Sequence, residues 1–169
     1  MLVDSHCHLD HLDITDREGG ITAVLEAAKA RGITHFLSVA VDMPTSKSLI
    51  DLTAKHSNVY SSVGAHPLQK VQQEVPSVDE LVALAQQPRV VAIGETGLDN
   101  FYSSETIDWQ RASFINHLKA SQQINKPVII HTRDARDETI DLLRQYTPSA
   151  AGVMHCFTES WEMAEQALE

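Results

Sequence analysis

The feature that most limits what this chain can become is where its histidines and one glutamate fall. His6 and His8 stand in LVDSHCHLD, Glu95 in VVAIGETGLD, His131 in PVIIHTRDA and His155 in GVMHCF. Each follows a short apolar run that reads as a β-strand, so each marks the C-terminal end of a strand. Side chains alternate faces along a strand, so His6 and His8 point the same way and can grip one ion.

Strand-like runs cover 2–8, 34–40, 59–66, 90–95, 127–132 and 151–157. Amphipathic segments lie between them. Ile21, Val24, Leu25 and Ala28 repeat with a helical period, as do Val78, Leu81, Val82 and Ala85. Ser77 and Glu80 form a capping box at the start of the second of these. Further helices are expected over 104–123, 135–146 and 160–168. Gly32 is placed to stop the first helix, and Pro127 opens a strand where no ladder bond is lost. The polar run 69–76 reads as a loop over the ligand end.

Strand and helix alternate throughout, which implies an α/β fold of parallel strands with right-handed crossovers. Metal-type ligands at matching ends of several strands point to a TIM (β/α)8 barrel of the metal-dependent hydrolase type. Six βα units of about 28 residues each fill a single domain over 1–169, with no linker or repeat. A closed eight-stranded barrel takes about 250 residues. The expectation is therefore a chain truncated before strands 7 and 8, with strands one and six left as open edges.

Composition excludes several classes. Hydrophobic residues make up 43% and charged residues 21%, as in an ordinary soluble domain. No apolar run is long enough to span a bilayer, and Asp4, His6 and His8 interrupt the N-terminal run, so neither a membrane anchor nor a signal peptide is expected. With only Cys7 and Cys156, a disulfide framework is not expected and a cytoplasmic location is. Both cysteines adjoin ligand histidines and read as small buried strand residues, with metal ligation the alternative. The net charge of −10 argues against broad binding to duplex nucleic acid. It does not exclude a nucleic-acid substrate, because two bound divalent ions would add about +4 locally. No obligate protein partner is expected.

His6, His8, Glu95, His131 and His155 are the candidate metal ligands. Glu95 ends an apolar strand, and a buried carboxylate needs a partner. It either bridges two ions or pairs with Arg111 or Lys126. Gly94 and Gly97 flank it and can let ligands approach the backbone. His66, in VGAHP, reads as a substrate-facing residue, with a metal or hydrogen-bonding role as alternatives. Arg133 can hold a phosphate oxygen or pair with Asp134 or Asp137. Glu95, His66 and Arg133 are therefore the candidate catalytic set, and Asp99 a candidate to orient a ligand. No function is assigned to His11, His35, His56 or His117. Two ions about 3.5–4 Å apart can share a water, bring its pKa to about 7 and stabilise an in-line displacement. That suits phosphodiester hydrolysis, and almost equally amide or ester hydrolysis of a small molecule. The donor set fits Zn, Mn, Mg, Ni, Co or Fe without choosing among them.

SHCHLD at 5–10, GAHP at 64–67, GETGLD at 94–99, KPVIIHTRDA at 126–135 and HCFTES at 155–160 closely resemble the motifs of the TatD family of metal-dependent deoxyribonucleases, its YcfH-type branch in particular. The resemblance runs along the whole chain in family order. It implies a TIM barrel, a site for two divalent metal ions and hydrolysis of DNA phosphodiesters, in single strands or at ends. Carried over by position, His6 and His8 would hold the first ion, Glu95 would bridge, and His131 and His155 would hold the second. The family has a further aspartate ligand in an ETDSP-like motif on a later strand. These 169 residues hold no such motif, so a catalytically inert fragment is one expectation for the chain itself.

Overall fold

The computed structural model describes residues 2–16, 18–69, 74–146 and 150–169. Six strands, β1 (Leu2–Cys7), β2 (Ile33–Ser38), β3 (Val59–Val63), β4 (Val90–Asp99), β5 (Val128–Arg133) and β6 (Gly152–Met154), form one sheet. They pair in sequence order and all in parallel. The crossover helices are α1 (Gly20–Lys29), α2 (Met43–Lys55), α3 (Val78–Ala85), α4 (Ile107–Ile124) and α5 (Arg136–Gln145), with α6 (Trp161–Leu168) after β6. This is the expected run of six βα units. Part of the 69–76 loop, residues 70–73, lies outside the described residues.

The sheet cannot be flat. Five inter-strand steps of about 4.8 Å would set β1 and β6 about 24 Å apart. Yet the ring of His6, from β1, stacks on that of His155, just past β6, with centroids 3.4 Å apart and planes 6° from parallel. The strands must curl so that their C-terminal ends converge, which is the geometry of a barrel wall. β1 and β6 remain edge strands, and Leu2, Val3 and Val153 are exposed along them.

Two elements depart from the sequence reading. Helix α2 has no clear apolar stripe, because two of its three buried residues, Ser46 and Thr53, are polar beside Leu49. It is set instead by its start: Asp42 accepts the Thr45 N–H at 2.6 Å, and Pro44 occupies the first turn. Strand β4 runs on past Glu95 to Asp99, so Glu95 sits mid-strand. The glycines explain the extension. A Cβ on Gly97 would collide with the His131 carbonyl, and one on Gly64 would lie 2.6 Å from the Gly94 backbone. They let β3, β4 and β5 approach closely.

Helix α4 carries an unusual buried stripe. Gln110, Ser113, His117 and Ser121 share one face and are almost wholly inaccessible. Gln110 exchanges hydrogen bonds with the Asp99 backbone, accepting its N–H at 2.7 Å and donating to its carbonyl at 3.1 Å. His117 donates from Nδ1 to the Ser113 carbonyl at 2.7 Å and accepts the Ala65 N–H on Nε2 at 3.0 Å. The helix thus grips the ends of β3 and β4 through polar side chains that water cannot replace. Burial pushes the His117 pKa down to about 4, against a smaller upward pull from the Ser113 carbonyl.

A pH prediction follows from that burial. Because the folded pKa is depressed, the unfolded chain binds this proton first as pH falls below about 6.5. Stability from this group is therefore complete above about pH 6.5 and falls by about 3 kcal/mol by about pH 4. In urea titrations, His117→Gln should be less stable at pH 7 but should lose less than the parent between pH 7 and 4. Equal acid losses in the two proteins would contradict this.

Candidate metal centre

Glu95 is 3% exposed and lies at the centre of the mouth. Neither expected cation reaches it. Arg111 is engaged with Asp108 and Glu138, and the Lys126 ammonium donates to the carbonyls of Ala85 and Val90. Its neighbours are imidazoles instead: His6 Nε2 at 3.3 Å from one carboxylate oxygen, His66 Nε2 at 3.5 Å and His131 Nδ1 at 3.6 Å from the other. Burial pushes the Glu95 pKa up, but contacts with His131, His6 and His66 outweigh it and hold the carboxyl below the usual range. Among the described residues no Lys or Arg is paired with this buried carboxylate, which suits the place to a cation.

The hydrogen bonds around the ring nitrogens sort the histidines. His8 donates from Nδ1 to the Val39 carbonyl at 2.9 Å, which leaves Nε2 with its lone pair. His131 bonds Asp99 Oδ2 through Nε2 at 2.9 Å, which leaves the Nδ1 lone pair facing Glu95. This is the orienting role expected of Asp99. His6 Nε2 is buried with no hydrogen-bond partner, close to Glu95 but misaligned with it. His66 is the opposite case. Its Nδ1 accepts the Leu68 N–H at 3.1 Å, so Nε2 carries the proton and points it at Glu95. Three imidazoles thus offer a lone pair or an unsatisfied nitrogen, and one offers a donor.

The pairing differs from that carried over by position. Ligand atoms cluster as His6, Glu95 and His155 on one side and as His66, Glu95 and His131 on the other. His155 joins His6 because the sheet curls; His131 stands beside His66, with ring centroids 4.5 Å apart. His8 is outside both clusters, but its ring is 5.2 Å from that of His6 and it lines the same cavity of ≈ 690 Å³. Burial and the neighbouring His6 lower the His155 pKa, keeping it neutral. Burial also lowers that of His131, but Glu95 and Asp99 outweigh it and the net shift is upward. These groups fit divalent cations: a buried His6 nitrogen with no hydrogen-bond partner among the described residues, a buried carboxylate surrounded by imidazoles and ring nitrogens with free lone pairs.

Arg133 is not in this cavity. Its guanidinium lies over the rings of Phe101 and Tyr102, with no ion pair to Asp134 or Asp137 among the described residues. Cys7 is half-buried, its pKa pushed up to about 12 by burial and by Asp4 and Asp10. Its Sγ donates to the Leu37 carbonyl at 3.4 Å, and it belongs to neither cluster of ligand atoms. Cys156 is exposed at the cavity rim, not a buried strand residue. The residues missed in the sequence are Gln110 and His117. Their helical spacing was visible, but polar residues at that spacing read as a solvated face.

The chain is similar to known proteins along its length. It is 44% identical to an uncharacterized metal-dependent hydrolase, YcfH, of Escherichia coli K12, over 99% of this chain and 63% of that protein. It is 31% identical to a second such hydrolase, YabD of Bacillus subtilis, over 100% of this chain and 66% of that protein. A relative named 3'-5' ssDNA/RNA exonuclease TatD, from Escherichia fergusonii, is 32% identical over 82% of this chain and 54% of its own length. The chain spans less than two thirds of the length of these relatives. In three dimensions it matches YjjV, a TatD homologue from Escherichia coli K12, with a TM-score of 0.87 at 26% identity, over 99% of this chain and 64% of that one. The family described as TatD related DNase matches residues 3–169, and the chain belongs to that family.

Proposed function

We propose that this domain, 1–169, is the part of a two-metal phosphodiesterase that holds most of its ion-binding groups, acting on single-stranded DNA from an end. The observation that carries the reading is the buried Glu95 carboxylate with imidazole nitrogens around it and, among the described residues, no lysine or arginine paired with it. His6, His8 and His155 would hold one ion, His131 the other, and Glu95 would contact both. Divalent ions held there supply Lewis acidity and acidify water. The protein's own groups do the rest. Asp99 holds the His131 ring in the tautomer that presents Nδ1. His66, with its proton on Nε2, can donate to a phosphate oxygen at the mouth. The name of the Escherichia fergusonii relative supports a nucleic-acid substrate trimmed from the 3' end.

A second reading is hydrolysis of a small neutral ester or amide. The observation favouring it is that no lysine or arginine is among the described residues lining the cavity, so nothing but the ions would neutralise a phosphate. The two separate on substrate. With Mn, Mg or Zn supplied, a 5'-labelled single-stranded oligonucleotide should shorten from its 3' end, and EDTA should stop the reaction. Turnover of a lactone or cyclic amide, with the oligonucleotide intact, would overturn the nuclease reading.

Two variants test the ligand assignments. Glu95→Gln should lose at least one bound ion in elemental analysis and all metal-dependent cleavage; unchanged stoichiometry would remove Glu95 from the site. Asp99→Asn should weaken ion binding about 10–100-fold while leaving the stoichiometry at saturation unchanged. Binding to the parent should also weaken as pH falls, because the ion and a proton compete for His131, whose pKa its two carboxylate neighbours raise against the effect of burial. Calorimetric titration at several pH values reads both effects.

A further inference from the structure

We propose that Phe101 and Tyr102, with the guanidinium of Arg133, form a stacking subsite for the bases of a single-stranded nucleic acid beside the metal centre. The proposal rests on the nuclease reading above and names where the strand would lie. Both rings follow directly on β4, at the sheet end that carries Glu95. They are 56% and 60% exposed, adjacent, and set edge to face with centroids 4.5 Å apart. Two large rings side by side in water are an unusual use of surface unless something covers them.

The platform is rigid and wired to the site. The Asn100 N–H donates to the Arg133 carbonyl at 2.9 Å, and the Asn100 side chain donates to the Asp134 carbonyl at 3.0 Å. The Tyr102 N–H donates to Asp99 Oδ1 at 2.7 Å, while Asp99 Oδ2 holds His131 at 2.9 Å. One buried carboxylate therefore fixes both a ligand imidazole and the backbone of the aromatic pair.

Charge identifies the occupant. The guanidinium carbon of Arg133 lies 4.5 Å from the Phe101 centroid and 4.9 Å from that of Tyr102. Arg111 and Arg136 are paired with carboxylates, whereas Arg133 has no carboxylate partner among the described residues. On a chain of net charge −10, an unpaired guanidinium held against exposed rings is a local exception. Ring faces for bases and a cation for the backbone are the two parts of a single-strand binding surface. A small neutral ester would use neither.

The test is binding of the Mn-loaded chain to two phosphorothioate decamers, one of thymidine and one abasic, followed by fluorescence anisotropy. The parent should prefer the thymidine strand. Phe101→Ala and Tyr102→Ala should each weaken binding to the thymidine strand about tenfold and to the abasic strand less than twofold. The conservative pair Phe101→Trp and Tyr102→Phe should keep the preference. Arg133→Gln should weaken both strands and lower the salt slope by about 1. Equal affinity of the parent for both strands would overturn stacking and leave the nuclease reading standing. Alanine variants that bind like the parent would do the same. Absence of binding to either strand would overturn both proposals.

Discussion

The molecule is organised around one carboxylate removed from water and, among the described residues, faced by imidazoles rather than by a lysine or arginine. Taking an ionised carboxylate out of water costs several kcal/mol, and only close opposite charge and hydrogen bonds recover it. Most buried acids in proteins meet that need with an arginine. Glu95 has imidazoles instead, drawn from the ends of β1, β3 and β5. An imidazole can be neutral and present a lone pair, so the same ring can face a carboxylate or a cation. Several nitrogen and oxygen donors thus converge on one place at the mouth.

The fold's task is to make that convergence unavoidable. Residues 6 and 155 are separated by almost the whole chain, yet their rings stack. No local contact could do this; it follows from the accumulated curl of six parallel strands. The curl is steepened where β3, β4 and β5 crowd together at Gly64, Gly94 and Gly97. Helix α4 then locks the result from outside. It holds Asp99, which holds His131, and it holds Ala65, the residue before His66. Both imidazoles on that side of Glu95 are thereby fixed through one helix face.

How much of this could be read from sequence varies by element, for physical reasons. The strands were legible because a Val/Ile run before a His or Glu is conspicuous, and the barrel because strands and helices alternate; the end of β4 was not, since the strand continues past Glu95 to Asp99. Family motifs supplied a candidate ligand set, and the curl of the sheet decides which of those side chains lie together. Helix α2 was hidden because buried Ser46 and Thr53 break its apolar stripe. His117 was passed over because burial of a polar residue leaves no mark on sequence; only its neighbour in space, the Ala65 N–H, gives it meaning. Arg133, read as lying just past a strand that ends at 132, is the last residue of β5, and its guanidinium lies over two aromatic rings outside the cavity.

That last placement sets the Arg133 guanidinium apart from the mouth. Among the described residues lining the mouth there is no lysine or arginine, and imidazole and carboxylate donors converge there. Outside it, a permanent cation is held against aromatic surface on the same loop system. Asp99 joins the two, since its oxygens bond His131 on one side and the Tyr102 backbone on the other. A shift of the rings would be felt at a ligand nitrogen, and a change in the ligand would be felt at the rings.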